Sequence, residues 1–152
     1  MIKNLFDKNV SNELINRIEQ LKPNQTPLWG KMSVDKMLAH CNVAYSYTYQ
    51  PEKFKKPSAF KKFMLKIFVK NIVVSEKSYT KNGRTAPEFV IAESKDFEKE
   101  KAKLIENINK TQQLGASYFN GLENFSFGKM TDKEWNNLFY KHLNHHLTQF
   151  GV

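Results

Sequence analysis

Apolar residues recur at helical spacing through most of this chain, and proline or glycine breaks the period at a few points. Such a pattern favours packed helices over strands. Leu14, Ile15, Ile18 and Leu21 line one side of a first helix over about 11–21, which Pro23 and Pro27 terminate. Ser33 offers an N-cap and Asp35 a first-turn acid for a second helix reaching about Tyr49. Pro51 and Pro57 mark a loop, and a basic helix is predicted over about 59–73. The stretch from about 75 to 94 reads as irregular, with a turn at Asn82-Gly83 and an extended run at Phe89-Val90-Ile91. A long helix is predicted over about 96–120, with Phe97, Leu104, Ile105, Ile108, Thr111, Gly115, Tyr118 and Phe119 near one face. Thr131-Asp132-Lys133-Glu134 is a capping box that starts the last helix, and Gly151 suits its C-terminal end. Four substantial helices after a short leading one give an all-α fold, a helical bundle.

The 152 residues fit one domain spanning 1–152. One cysteine excludes an intrachain disulfide framework and fits a reducing compartment. Residues 1–10 have no apolar segment of the signal-peptide type, and no apolar run reaches the roughly 18 residues of a membrane span. A soluble, cytoplasmic protein is expected. The formal net charge of +9 invites an anionic partner. The excess is mostly lysine and no nucleic-acid motif accompanies it, so nucleic acid is not the expected partner.

The chain has four histidines, and three fall in Lys141-His-Leu-Asn-His-His146. On a wheel at about 100° per residue with His142 at zero, the apolar face of the last helix centres near about 80°. His146 falls near about 40°, on that face, and His145 near about 300°, on the polar side. His142 and His146 therefore point into the bundle side by side, as in the His-x-x-x-His pair of zinc helices, and His145 is read as a surface or supporting group. His40 sits at the edge of the apolar face of the second helix, beside the small Ala44. Tyr47 lies near the same edge, whereas Cys41 sits mid-face as a buried small hydrophobe. His40, His142 and His146 are thus the candidate ligands of one divalent metal. Zn²⁺ or Ni²⁺ is expected, with Fe²⁺ or Mn²⁺ after them. Three protein ligands leave a coordination position open to water or substrate, which is the arrangement of a catalytic site. No residue is assigned a catalytic role. Trp29 and Trp135 are read as packing at the bundle end, and Glu134 as a cap.

The lysines between 53 and 70 alternate with Phe54, Phe60, Phe63 and Phe68. That segment is read as a bundle helix with a solvated lysine face, against the alternative of an anionic surface-binding helix. No Ser-His-Asp order, phosphate loop or dinucleotide fingerprint is present.

Three stretches resemble a known family. Trp29-Gly-Lys-Met-Ser-Val-Asp-Lys-Met-Leu-Ala-His40, Thr85-Ala-Pro-Glu-Phe89 and the ending from Phe127-Gly-Lys-Met-Thr-Asp-Lys-Glu-Trp135 through His142-Leu-Asn-His-His-Leu-Thr-Gln-Phe-Gly-Val152 are similar to the uncharacterised DUF1569 family. That family resembles the DinB-like superfamily, which includes YfiT-type metal-dependent hydrolases. The resemblance implies an up-down-down-up four-helix bundle with a metal on His40, His142 and His146, and pairing of copies through bundle faces as a homodimer. It also implies hydrolysis or thiol transfer on a small electrophilic molecule. The competing readings are a non-enzymatic metal-binding or stress-related module, and a basic protein contacting nucleic acid or membrane. One departure stands out: a His-Pro pair often precedes the Phe-Gly turn in the family, and Asn124-Phe125 stands there in this chain.

Overall fold

In the computed structural model, which describes residues 1–152, six helices follow one another with a single short hairpin between the last two. They are α1 (Lys8–Glu19), α2 (Val34–Tyr49), α3 (Ala59–Phe68), α4 (Lys70–Val74), α5 (Phe97–Phe119) and α6 (Asp132–Gln149). The hairpin pairs β1 (Glu123–Asn124) with β2 (Gly128–Lys129), antiparallel, with Glu123 opposite Lys129. The fold is all-α, as the periodicity requires.

Local chemistry sets the helix limits. The Asp7 side chain accepts from the amides of Asn9 and Val10, so α1 begins before the predicted Ser11. Thr131 and Glu134 form the reciprocal capping box at the start of α6. Ser33 occupies the N-cap of α2 but makes no side-chain cap bond. Asp35 reaches across the fold instead, accepting from Lys95 N–H and Ser94 O–H. Partial burial works against its ionised form, yet these bonds prevail and hold the carboxyl down at about 2.

The bundle consists of α1, α2, α5 and α6, with α5 and α6 each packed on both of the others. The first helix is thus a full member rather than an extra: Leu14 and Ile18 are buried in the same cluster as Met37, Leu38, Leu104, Ile108 and Leu143. Aromatic rings from α2, α5 and α6 pack against one another in the core. Tyr45 stacks on Phe139 with centroids 4.7 Å apart, and Phe119 meets Trp135 at 5.5 Å. Each such ring contributes about 1.5–3 kcal/mol by leaving water.

Three elements differ from expectation. The helix over 97–119 is interrupted at Gly115 (φ 71°, ψ 170°), a conformation open essentially to glycine alone. Beyond the break Phe119 is buried while Tyr118 is exposed. Of the predicted extended run Phe89-Val90-Ile91, Val90 is extended (φ −77°, ψ 119°), but Phe89 closes a 3₁₀ turn over Pro87–Phe89, its N–H donating to Ala86 C=O. The basic helix divides at Val69 and lies outside the bundle, α3 packing on α4 and α4 on α6. Leu65 and Val69 face the core, but Phe60, Phe63 and Phe68 are exposed, so this is not a bundle helix with a purely lysine outer face. No helix is long and apolar enough to cross a membrane.

Candidate metal centre

The i, i+4 spacing on α6 sets His142 and His146 one turn apart, and the packing of α2 against α6 brings His40 opposite them. The three rings form a nearly equilateral triangle. Their centroids lie 4.8 Å (His40 to His142), 4.7 Å (His40 to His146) and 4.9 Å (His142 to His146) apart, and the planes are steeply inclined. One nitrogen from each ring lies within 4.8 Å of the others. The structure therefore brings together the three histidines that the wheel selects.

Hydrogen bonds fix which nitrogen of His40 and His146 faces the centre. His40 Nδ1 lies 2.9 Å from the Phe89 carbonyl oxygen, which can only accept, so Nδ1 carries the hydrogen and Nε2 is left with its lone pair. Gln149 Nε2 donates to the Trp29 carbonyl at 2.8 Å, which turns its Oε1 toward His146. That oxygen accepts from His146 Nδ1 at 2.8 Å, again leaving Nε2 free. His142 Nε2 lies 2.8 Å from His40 Nε2 and must then be the donor of that pair. Carbonyl-type acceptors behind metal-ligating imidazoles are the usual means of setting tautomer and orientation.

All three rings are held neutral. Burial pushes His40 below its ordinary value, against the opposing bond to Phe89. Burial, then the neighbouring His40, lowers His146 to about 3. Part of the His142 surface opens onto a cavity, but the protein around it and then the other imidazoles hold it well below its ordinary value. Neutral imidazoles are the metal-binding form. A tetrahedral zinc with bonds of about 2.0–2.1 Å would separate its nitrogens by about 3.3 Å. That spacing falls between the 2.8 Å contact and the 4.8 Å limit seen here, so the donor set fits a divalent ion with the His142 hydrogen moved from Nε2 to Nδ1.

The triad opens onto a cavity of about 1050 Å³. Trp29, Tyr47, Tyr79, Phe89, Phe125 and Phe127 supply its aromatic walls, and Leu65 and Val69 close the side toward α3 and α4. Its single carboxylate is Glu88, which pairs with Lys61. A second cavity of about 710 Å³ lies along α5 among charged side chains such as Glu98, Lys101 and Glu106, and contains no histidine or cysteine.

Several neighbours depart from the sequence reading. His145 lines the cavity, its ring 5.1 Å from that of His146, 5.8 Å from Trp29 and 5.6 Å from Tyr79. Trp29 lines the same space, whereas Trp135 is core packing as expected. Cys41 is buried and its thiol is pushed up by that burial. Asn124, at the departure from the family pattern, is structural: its Oδ1 accepts from the amides of Ser126 and Phe127 and closes the hairpin turn. Phe125 stacks on Tyr47 at 4.9 Å in the cavity wall. Sequence reasoning missed Gln149 and the Phe89 carbonyl. Gln149 follows His146 by three residues on the same helical face, a signal that was available. Gly30 marks it too: with φ +81° it passes close to the Gln149 amide, where an added Cβ would lie 2.9 Å from Nε2.

An all-α bundle carrying three convergent imidazoles beneath an aromatic cavity defines a helical protein with a candidate metal centre. Residues 4–151 match the family described as Protein of unknown function (DUF1569), and the chain belongs to that family. A search of the curated proteins and of the solved structures finds no match.

Proposed function

We propose that this chain is a single-domain, DinB-like metal-dependent enzyme in which His40, His142 and His146 hold one divalent ion. Zn²⁺ or Ni²⁺ suits three imidazoles best, with Fe²⁺ or Mn²⁺ next. The observation that carries the proposal is the supported triad: three neutral rings converging, two with Nδ1–H pinned outward by Phe89 and Gln149. A bound ion would supply Lewis acidity to a molecule in the cavity. The aromatic walls fit a small, largely apolar electrophile, and hydrolysis or thiol transfer is the proposed reaction class. Phe89 and Gln149 orient ligands, and Tyr47 and Phe125 exclude water from the cavity wall. A cytoplasmic setting fits the single, buried cysteine.

One observation favours a non-enzymatic metal-binding module: Glu88, the single carboxylate of the cavity wall, is engaged by Lys61, so no free carboxylate is at hand to move a proton. Elemental analysis of protein purified without an affinity tag should give close to one metal per chain, lost in His146→Ala. Wild-type protein that holds no metal and gains no stability from added Zn²⁺ or Ni²⁺ would overturn the metal site. Metal-loaded protein inert toward a panel of thiol and ester substrates would favour the module over the enzyme.

A further inference from the structure

The chain exposes ten large apolar side chains, and five of them lie together on α3: Phe60, Phe63, Met64, Ile67 and Phe68, while a sixth, Ile72 on α4, borders the cavity of the metal centre. Phe60 is 74% exposed, Phe68 62% and Ile72 61%. On the α3 wheel the five from 60 to 68 fill one arc of roughly 140°, opposite the Leu65 and Val69 side that packs on the core. A contiguous outward patch of this kind is rare on a protein surface that stays in water. Lysines border it. Residues 51–74 contain seven lysines and one glutamate, and Lys53, Lys55, Lys56 and Lys66 make no salt bridge. Lys61 and Lys66 flank the apolar arc on either side of the helix.

We propose that the outward face of α3 and α4 is a docking surface for an anionic lipid bilayer. A short helix with aromatic and aliphatic side chains on one arc and lysines at its borders lies in the interface plane, its rings among acyl chains and its ammonium groups among headgroups. The charge pattern selects the bilayer over a second copy of this chain. In a two-fold pairing the same patch would face itself, so the lysine borders would be set against each other and repel. Anionic headgroups neutralise those same lysines. Nucleic acid would use the lysines but leave the five large apolar side chains of the α3 arc in water. The inner side of α3 also carries Leu65 and Val69 of the cavity wall, so a docked α3 would place the cavity next to the bilayer.

The test is co-sedimentation of full-length protein with vesicles of mixed phosphatidylglycerol and phosphatidylcholine, and with phosphatidylcholine alone. Binding is expected to the mixed vesicles, about tenfold or more weaker to the neutral ones, and weakened as salt rises. Phe63→Ser/Phe68→Ser should cut binding about tenfold or more, as should Lys56→Glu/Lys66→Glu. Both variants alter exposed side chains, so far-ultraviolet circular dichroism and the melting temperature should match wild type. The proposal is overturned if wild type ignores mixed vesicles or binds both kinds equally. A dimer by analytical ultracentrifugation that Phe63→Ser/Phe68→Ser dissociates, in protein that does not bind vesicles, would overturn it in favour of a second copy. Duplex DNA binding that survives that variant, again without vesicle binding, would overturn it in favour of nucleic acid. Metal content is untouched by either variant, so failure here and failure of the metal site are distinguishable.

Discussion

Gln149→Leu tests the chemistry of the triad without touching a ligand. Gln149 is buried and uses both ends of its amide: Oε1 accepts from His146 Nδ1 and Nε2 donates to Trp29 C=O, each at 2.8 Å. Leucine approximates its volume and removes both bonds. With no acceptor behind it, the neutral His146 ring no longer prefers to keep its hydrogen on Nδ1, and the tautomer with Nε2–H has no lone pair for a metal. Loss of such support lowers metal affinity by about 10–100-fold, or about 1.4–2.7 kcal/mol. The metal-free protein should also lose about 1–3 kcal/mol, since the Trp29 carbonyl and the buried His146 Nδ1 both lose their partners. Gln149→Glu separates the two effects. It keeps an acceptor for His146, so affinity should stay near wild type or rise, while the Trp29 carbonyl loses its donor and stability falls. Affinity is read by Zn²⁺ competition against a chromophoric chelator, and stability by urea unfolding of metal-free protein. Gln149→Leu with affinity within about twofold of wild type, while His146→Ala abolishes binding, would refute the tautomer reasoning.

Acid should destabilise the metal-free protein. His146 titrates at about 3 in the folded state and near 6.5 unfolded, so the unfolded chain takes up the proton first as pH falls. Its contribution is intact above about 6.5, declines by about 1.4 kcal/mol per pH unit below that, and stops changing near 3, so urea unfolding at pH 5 should show about 2 kcal/mol less stability than at pH 7 from this residue. His40 and His142 act in the same direction, and unchanged stability between those pH values would contradict the buried, neutral triad. Gly115→Ala should cost about 1–3 kcal/mol: an added Cβ meets nothing within 4 Å, so the whole penalty is backbone strain, read as a lower melting temperature in the same helical protein.

Features with local causes could be read from the chain. The helical period gave the α-class, and Thr131 and Glu134 gave the start of α6 because a capping box closes within four residues. The His142 and His146 pair was legible because residues four apart on a helix are neighbours whatever surrounds them. His40 was legible as an edge residue of an apolar face, though its meeting with residues 102 and more positions away was not. Packing decided that. The Phe89 support was hidden for a different reason: a backbone carbonyl has no sequence identity, and only the turn at Pro87–Phe89 aims it at His40. Gly115 showed no sign of its break, since a glycine at a core-facing helical position reads the same whether the backbone continues or turns.

The deepest ambiguity was α3. Its sequence is apolar around much of the wheel, so period alone could not say which side would meet the bundle. The tertiary structure chose Leu65 and Val69 for the inside and left Phe60, Phe63 and Phe68 in the open. Sequence by itself therefore determined the all-α class, the start of α6 and the three candidate ligands as residues on or at the edge of apolar helix faces, because their causes lie within a turn or two of chain. Only the packed structure decided that α2 and α6 share one centre, what fixes its imidazoles, and which face of α3 looks outward, because those depend on contacts between segments distant in the chain.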